Sequence, residues 1–395
     1  MGEWKNCTLS SLGTIVGGAT PSTKKPENYE GGEIPWITPK DLSGFSGRYI
    51  SCGERNITEI GLKSCSAQMM PKHSVLFSSR APIGYVAISD CDVCTNQGFK
   101  SIVPNRDTDY LFLYYLLLYK KHEIENLGSG TTFKEVSAST MKGVEVRVPV
   151  DKREQERIAG ILLALDDKIE SNAHINENLL EQALTLYATQ FSSLELNGCI
   201  GDYCSVKSGF AFKSSWWTNC GVRVIKIGSI NQDNLNLLEC SYVDEDKANK
   251  AKDFVVKAGD LLIAMTGATI GKFAMVPYSS EVLLVNQRVG KFFLGNNPVE
   301  KLPFIYCTLK QPEVYAEVVN RGQGSAQPNI SASDIMSIPC VIPSQDAINN
   351  FNDMSQPLFD LIISNQRENR QLSELRNALL PKLMSGELDV SDIDL

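Results

Sequence analysis

The sequence predicts an α+β fold built twice: two repeated α+β domains separated by two long helices that form an antiparallel coiled coil, pseudo-two-fold symmetric. Three observations predict it. Gly128–Pro149 (GSGTTFKEVSASTMKGVEVRVP) and Gly322–Pro343 (GQGSAQPNISASDIMSIPCVIP) are in register, 194 residues apart. Each copy runs into a segment whose apolar residues recur at alternating four- and three-residue steps, the spacing of a coiled-coil seam. Ahead of each copy lie short alternating stretches punctuated by Gly and Pro, with one or two helical runs, which is the pattern of a compact mixed domain. The implied boundaries are 1–150 and 197–343 for the domains, and 151–196 and 344–395 for the helical segments and tail.

The repeat can be followed element by element. Gly18 precedes a polar stretch ending at Lys24 and Lys25, and Gly209 precedes one ending at Lys213. IPWITPKDL (Ile34–Leu42) matches VRVIKIGSI (Val222–Ile230), both alternating as strands do. Met70–Ile88 matches Val256–Val276 as strand, Gly-bearing turn, strand. Asn96-Gln97 then pairs with Asn286-Gln287, and an aromatic-rich helix, Tyr110–Lys121 or Pro303–Leu309, leads into the glycine loop of each half.

The first seam runs through Ile158, Leu162, Leu165, Ile169, Asn172, Asn176, Leu179, Ala183 and Leu186. The second runs through Phe351, Ser355, Leu358, Ile362, Asn365, Asn369, Leu372, Arg376, Leu379 and Leu383. Each carries two asparagines at its centre. In an antiparallel pair Asn172 and Asn176 would face Asn369 and Asn365, fixing register at a cost in stability. The alternative is that these amides are solvated where the seam opens.

Composition excludes several classes. The longest apolar run, Tyr110–Tyr119, is too short to cross a bilayer, and MGEWKNCTLSS lacks the basic-then-apolar order of a signal peptide. Eleven irregularly spaced cysteines read as free thiols, so a cytoplasmic location is expected. Cys91 and Cys94 form one C-x-x-C, but with no second pair and only three histidines no metal site is expected. The net charge of −8 is unevenly spread. Residues 1–150 hold 16 Lys and Arg against 15 Asp and Glu, and 199–343 hold 14 against 13. The two helical segments, 151–198 and 344–395, each hold 4 against 9, so all the excess acidity lies there.

REQERIAGILLALDDKIESN (Arg153–Asn172) and LRNALLPKLMSGELDV (Leu375–Val390), with IPWITPKDL as a weaker piece, resemble the specificity subunits of type I restriction-modification systems. The first two resemble the family's two spacer segments. The resemblance covers nearly the whole chain and implies two target recognition domains, each reading one half of a bipartite duplex DNA target. It implies an antiparallel coiled coil that docks methyltransferase subunits, two being expected, and a motor-nuclease restriction subunit. The second copy (QDAINNFNDMSQPLFDLIISN) lacks the E-Q-x-x-I-A pattern of the first, so the two docking surfaces are expected to differ. A helix over 151–190 would span about 60 Å and the seam about 42 Å at ~1.5 Å per residue. That corresponds to roughly 12 to 18 base pairs at ~3.4 Å per step, so the helices are expected to act as a ruler.

No catalytic centre or cofactor site is expected in this chain. There is no N/D-P-P-Y/F loop of the kind that holds a flipped base in adenine methyltransferases. Gly267-Ala-Thr-Ile-Gly271-Lys272-Phe273 misses the phosphate-loop spacing and its Ser/Thr, and reads as a turn between strands. For DNA contact, the glycine loops offer Ser129, Thr131, Thr132 and Lys134 in one half and Arg321, Gln323, Ser325 and Gln327 in the other; a plain domain-closing loop is the alternative. Ser79 and Arg80, and Thr266 and Lys272, lie on the matching strand-turn-strand of each half. Lys24, Lys25 and Lys213 could hold phosphates or be solvated surface lysines. Trp216-Trp217 reads as core or edge packing. Three other functions remain open: the recognition subunit of a combined enzyme that cuts on both sides of its site, a stand-alone methyltransferase, and a coiled-coil scaffold.

Overall fold

The computed structural model describes residues 2–45, 47–130, 134–322 and 328–390. The chain forms two compact units, Met1–Asp167 with Ser373–Leu395, and Lys168–Leu372. A central helix, Lys152–Phe191, and a C-terminal helix, Gln345–Ser385, each contribute residues to both.

In the first unit, Gly13–Gly17, Lys100–Pro104, Val75–Phe77, Val86–Ser89 and Tyr49–Ile50 form a five-stranded sheet in that order, antiparallel except for the last pair. A three-stranded sheet joins Arg55–Ile57, Ile34–Ile37 and Cys94–Thr95. Trp4–Thr8 pairs with Glu145–Pro149 and so closes the domain at the point where the central helix starts. The helix Tyr110–Asn126 is capped by Asp109, whose carboxylate accepts from Phe112 N at 2.8 Å. Its Phe112, Leu113, Tyr115, Leu116 and Leu117 are buried in one core with Ile158 and Leu162 of the central helix and Leu383 and Met384 of the C-terminal helix. Domain and helices therefore share a core, and the apolar face of each helix is stabilised by that packing more than by propensity.

The second unit repeats the plan with altered proportions. Ser205–Ser208, Val289–Phe293, Leu261–Ala264 and Phe273–Met275 form a four-stranded sheet. The other sheet has grown to five strands: Trp217–Thr218, Ser241–Val243, Val222–Ile225, Leu283–Val285 and Val255–Val256. Gly198–Cys199 pairs with Pro339–Cys340 where the first unit has its longer closing pair. The single aromatic helix of the first domain is replaced by two, Leu302–Leu309 and Pro312–Gly322. Arg321 and Gly322 thus end a helix, where the sequence pattern had suggested a loop.

The repeated small motifs have one physical cause each. A Cβ on Gly18 would lie 2.1 Å from Asn96 O, and one on Gly209 would lie 2.3 Å from Val285 O, so both places admit only glycine. Asn96 Oδ1 accepts from Gly98 N at 2.8 Å and Asn286 Oδ1 from Arg288 N at 3.2 Å, the same side-chain turn twice. Buried Gln155 ties the central helix to its domain by accepting from Asp109 N at 2.9 Å and donating to Pro149 O at 3.1 Å. In the second unit Asn352 does equivalent work, accepting from Phe304 N at 2.9 Å and donating to the Tyr203 hydroxyl at 3.1 Å. Among the described residues no helix is long and apolar enough to cross a membrane.

Candidate nucleic-acid interface

In each half, the end of the central sheet strand meets the segment that follows the glycine loop. Ser79 N donates to Gly98 O at 2.7 Å, and Val136 N donates back to Ser79 O at 2.9 Å. Met265 and Ile330 repeat this: Met265 N donates to Arg288 O at 3.0 Å and Ile330 N to Met265 O at 2.9 Å. One residue on, Arg80 bridges Glu135, and Thr266 bridges Asn329. Predicted residues Arg80, Ser129 and Lys134 therefore meet around Glu135, which also pairs with the Ser129 backbone in both directions.

Within this frame the individual side chains differ in what they can offer a ligand. Ser79 is fully buried and its hydroxyl donates to Gly98 O at 3.2 Å, so it holds the fold and presents nothing outward. Arg80 is half exposed, with Nε 3.0 Å from the Glu135 carboxylate, and Lys100 reaches the other oxygen at 3.6 Å. Thr266 is half-buried, with a hydroxyl that has no hydrogen-bond partner among the described residues, and Lys272 is half-buried beside the Gly267–Thr269 turn. Arg321 is committed elsewhere. Its guanidinium pairs with Glu317 at 2.8 Å and donates to Asp334 O at 3.0 Å and Ser337 Oγ at 2.5 Å, clamping one helix end to the short helix Ala332–Met336. Thr131, Thr132, Gln323, Ser325 and Gln327 lie outside the described residues.

Lys24 and Lys25 are exposed, and so is Lys213. Lys25 and Lys213 hold the same place, each preceding a three-residue helical turn, Pro26–Asn28 or Ser214–Trp216. In the first domain that turn leads to Tyr29, whose ring lies 4.2 Å from the Arg55 guanidinium. In the second it leads to Trp216 and Trp217, both half-buried. Lys213, Lys247 and Lys250 place their ammonium groups 5.8, 5.7 and 5.4 Å from the Trp216 ring, and Lys226 lies 3.9 Å over Trp217. Burial pushes the Lys226 ammonium below its ordinary pKa. Trp216-Trp217 do pack, on Phe210 and Phe212, but the lysines around them were not singled out by the sequence. The Trp-Trp doublet beside Lys213 was the one available signal, because Lys226 and the pair Lys247 and Lys250 come from two other segments.

The seam residues of both helices are buried or half-buried throughout. Asn172 Nδ2 donates to Asn369 Oδ1 at 2.8 Å and to Glu368 at 2.7 Å, and Asn369 Nδ2 donates to Ile169 O at 3.1 Å. Asn365 Nδ2 donates to Asn176 Oδ1 at 2.8 Å. The Asn172 amide, then Lys168, holds the Glu368 carboxyl below its usual range. In the first unit Asp166 accepts from the Tyr115 hydroxyl at 2.7 Å and pairs with Arg376 at 2.6 Å, while Arg48 pairs with Asp167. In the second, Tyr306 packs edge-on against Phe359 with ring centroids 5.4 Å apart.

Comparison with known proteins places this arrangement. A family model described as the type I restriction modification DNA specificity domain matches residues 1–181 and again 196–372. The type I restriction enzyme MjaIX specificity subunit of Methanocaldococcus jannaschii is 33% identical over 418 aligned residues, covering 99% of this chain and 95% of that relative. The Escherichia coli EcoR124I/EcoR124II specificity subunit is 31% identical over 170 residues, covering 42% of this chain and 41% of its own. A crystal structure of the type I restriction-modification S subunit from M. genitalium shares the fold, with a TM-score of 0.58 over 97% of this chain and 96% of that one at 18% identity.

Proposed function

Because this chain belongs to the type I restriction modification DNA specificity family, we propose that it reads a bipartite duplex target with one domain per half-site. Residues 1–150 and 197–343 serve as the two target recognition domains, and 151–196 and 344–395 as the spacer helices that set the distance between half-sites. The observation that carries this reading is the double repeat, in which the same sheet, closing pair and helix-anchored core are built twice on two helices of 40 and 41 residues. Two methyltransferase subunits dock on the helices and methylate an adenine in each half-site, and a motor-nuclease subunit completes the restriction complex in the cytoplasm. Base contacts come from the edge where Arg80, Ser129 and Lys134 gather in one domain and from Thr266 and Lys272 in the other, and the glycine-loop residues Thr131, Thr132, Gln323, Ser325 and Gln327 are further candidates for them. Lys24, Lys25 and Lys213 hold phosphates. The paired asparagines Asn172, Asn176, Asn365 and Asn369 fix helix register.

Methylome sequencing tests this directly. A methylation-free host expressing the chain with a cognate methyltransferase should show a split motif with methyladenine in both halves, absent when the chain is omitted. Replacing residues 20–145 should change one half of that motif and leave the other intact; a change in both halves would refute the assignment of one reader per half. Removing one heptad from both helices should shorten the permitted spacer, and an unchanged spacer would defeat the ruler.

A further inference from the structure

Four cations of the second domain have acidic partners within ion-pair distance among the described residues. Arg223 pairs with Glu281 at 2.5 Å, Lys291 with buried Asp260 at 2.6 Å, Lys310 with Asp233, and Arg321 with Glu317. Lys213, Lys226, Lys247 and Lys250 are set apart by gathering around the same two rings. None has an acidic partner within ion-pair distance among the described residues, although Glu245 and Asp246 share a short helix with Lys247. These ammonium groups converge from separate segments onto two adjacent indole rings. Core packing explains the contacts of the rings with Phe210 and Phe212 but gives no reason for gathering four cations without acidic partners around them.

We infer that the Trp216–Trp217 lysine cluster is a phosphate anchor, taking the sugar-phosphate backbone of duplex DNA and supplying affinity without sequence readout. The inference rests on the reading of this chain as a DNA specificity protein and adds a division of labour within the second domain. Lysine is a compact, strongly hydrated point charge on a flexible stem, suited to phosphate whatever the sequence, and it lacks arginine's planar fork. Indole faces attract ammonium groups and carry their aliphatic stems, so the cations are held in place before DNA arrives. An approaching phosphodiester restores the favourable electrostatics that partial burial of Lys226 costs. The corresponding region of the first domain has exposed Lys24 and Lys25 and places only Arg55 over its one tyrosine, while Lys40 is paired with Glu54 at 2.6 Å. Phosphate affinity is thus concentrated in the second domain.

The test uses the full-length chain and a 60-base-pair duplex, with binding followed by fluorescence anisotropy across a sodium chloride series. Neutralising all four lysines (K213Q, K226Q, K247Q and K250Q together) should lower the slope of log affinity against log salt by about 3 to 4, at ~0.9 per phosphate contact, and weaken binding by roughly ten- to a hundredfold near 0.1 M salt. The corresponding four Lys→Arg changes should keep the slope, and circular dichroism should show both variants folded. Co-expressed with the methyltransferase, the neutralised chain should direct methylation to an unaltered motif, at reduced occupancy. An unchanged salt slope overturns the anchor and leaves the specificity role standing. An altered motif also overturns it, because the cluster would then be reading bases. A parent chain that neither binds duplex nor directs any methylation overturns the specificity role itself, and the anchor with it.

Discussion

The two places where a helix pair meets a domain occupy equivalent positions in the repeat and are held by opposite physics. Aligning Asn172 with Asn365 (a shift of 193) sets Asp166 against Phe359, and Ala183 against Arg376. In the first unit this junction is polar. Asp166 is held by Tyr115 and Arg376, Arg48 pairs with its neighbour Asp167, and the Tyr115 phenol is pushed well above its ordinary pKa, first by burial and then by Asp166. In the second unit the junction is apolar. Phe359 and Ala183 are fully buried in one core with Tyr306, Tyr187, Phe191 and Phe351. Duplication preserved where the chain goes, while the energy that holds it there was rewritten. An apolar junction loses stability in proportion to what is removed; a polar one fails when a single partner leaves its neighbours unpaired.

Mutations at the matched positions should separate these two behaviours. Phe359→Ala removes a fully buried ring and should destabilise the chain by about 3–5 kcal/mol, independent of salt, in denaturant unfolding. A loss that shrank as salt rose would contradict the apolar assignment. Asp166→Ala should cost about 2–3 kcal/mol, since Arg376 and Tyr115 lose their acceptor, and the loss should diminish with added salt because the pair is partly exposed. If Arg376→Ala combined with Asp166→Ala cost as much as the two singles added together, the pair would not be coupled. Asn365→Ala should cost about 1 kcal/mol and broaden the helix register, read by crosslinking engineered cysteines along the seam. The smallest effect concerns pH. Glu368 titrates below its usual value of 4.5 because Asn172 donates to its ionised form. That contribution is present above pH 4.5 and is lost as pH falls through the folded-state value. In Asn172→Ala the corresponding slope of stability against pH should flatten; an unchanged slope would place its source elsewhere.

Features with a local rule were legible in the sequence. The seams follow from a periodicity that any helix must obey, and the asparagines stood out as polar residues at its centre. Gly18 and Gly209 sit where a neighbouring backbone excludes a side chain, so the same residue recurs in both halves. Features assembled from distant segments were not legible. Arg321 looked like a loop donor because Glu317, Asp334 and Ser337 become its partners only once the helix Pro312–Gly322 has formed. Ser79 looked like a surface hydroxyl, yet strand pairing turns it inward onto Gly98. Arg376 appeared on the seam as an isolated charge, and its counter-charge Asp166 lies 210 residues away. The lysines around Trp216 and Trp217 are brought together by the five-stranded sheet and the turns beside it, which no periodicity announces.

The asparagine pairs carry one more consequence. Both helices have asparagine at the same two heptad positions, and Asn172 meets Asn369 just as Asn176 meets Asn365. The central motif is therefore a palindrome: exchange the two helices and the same amides meet again. It encodes alignment but contains no record of which helix comes first along the chain. That order is written in the residues around the amides: Asn172 also donates to Glu368, whose counterpart is Ile175, and farther out Asp166 needs an arginine opposite it where Phe359 does not.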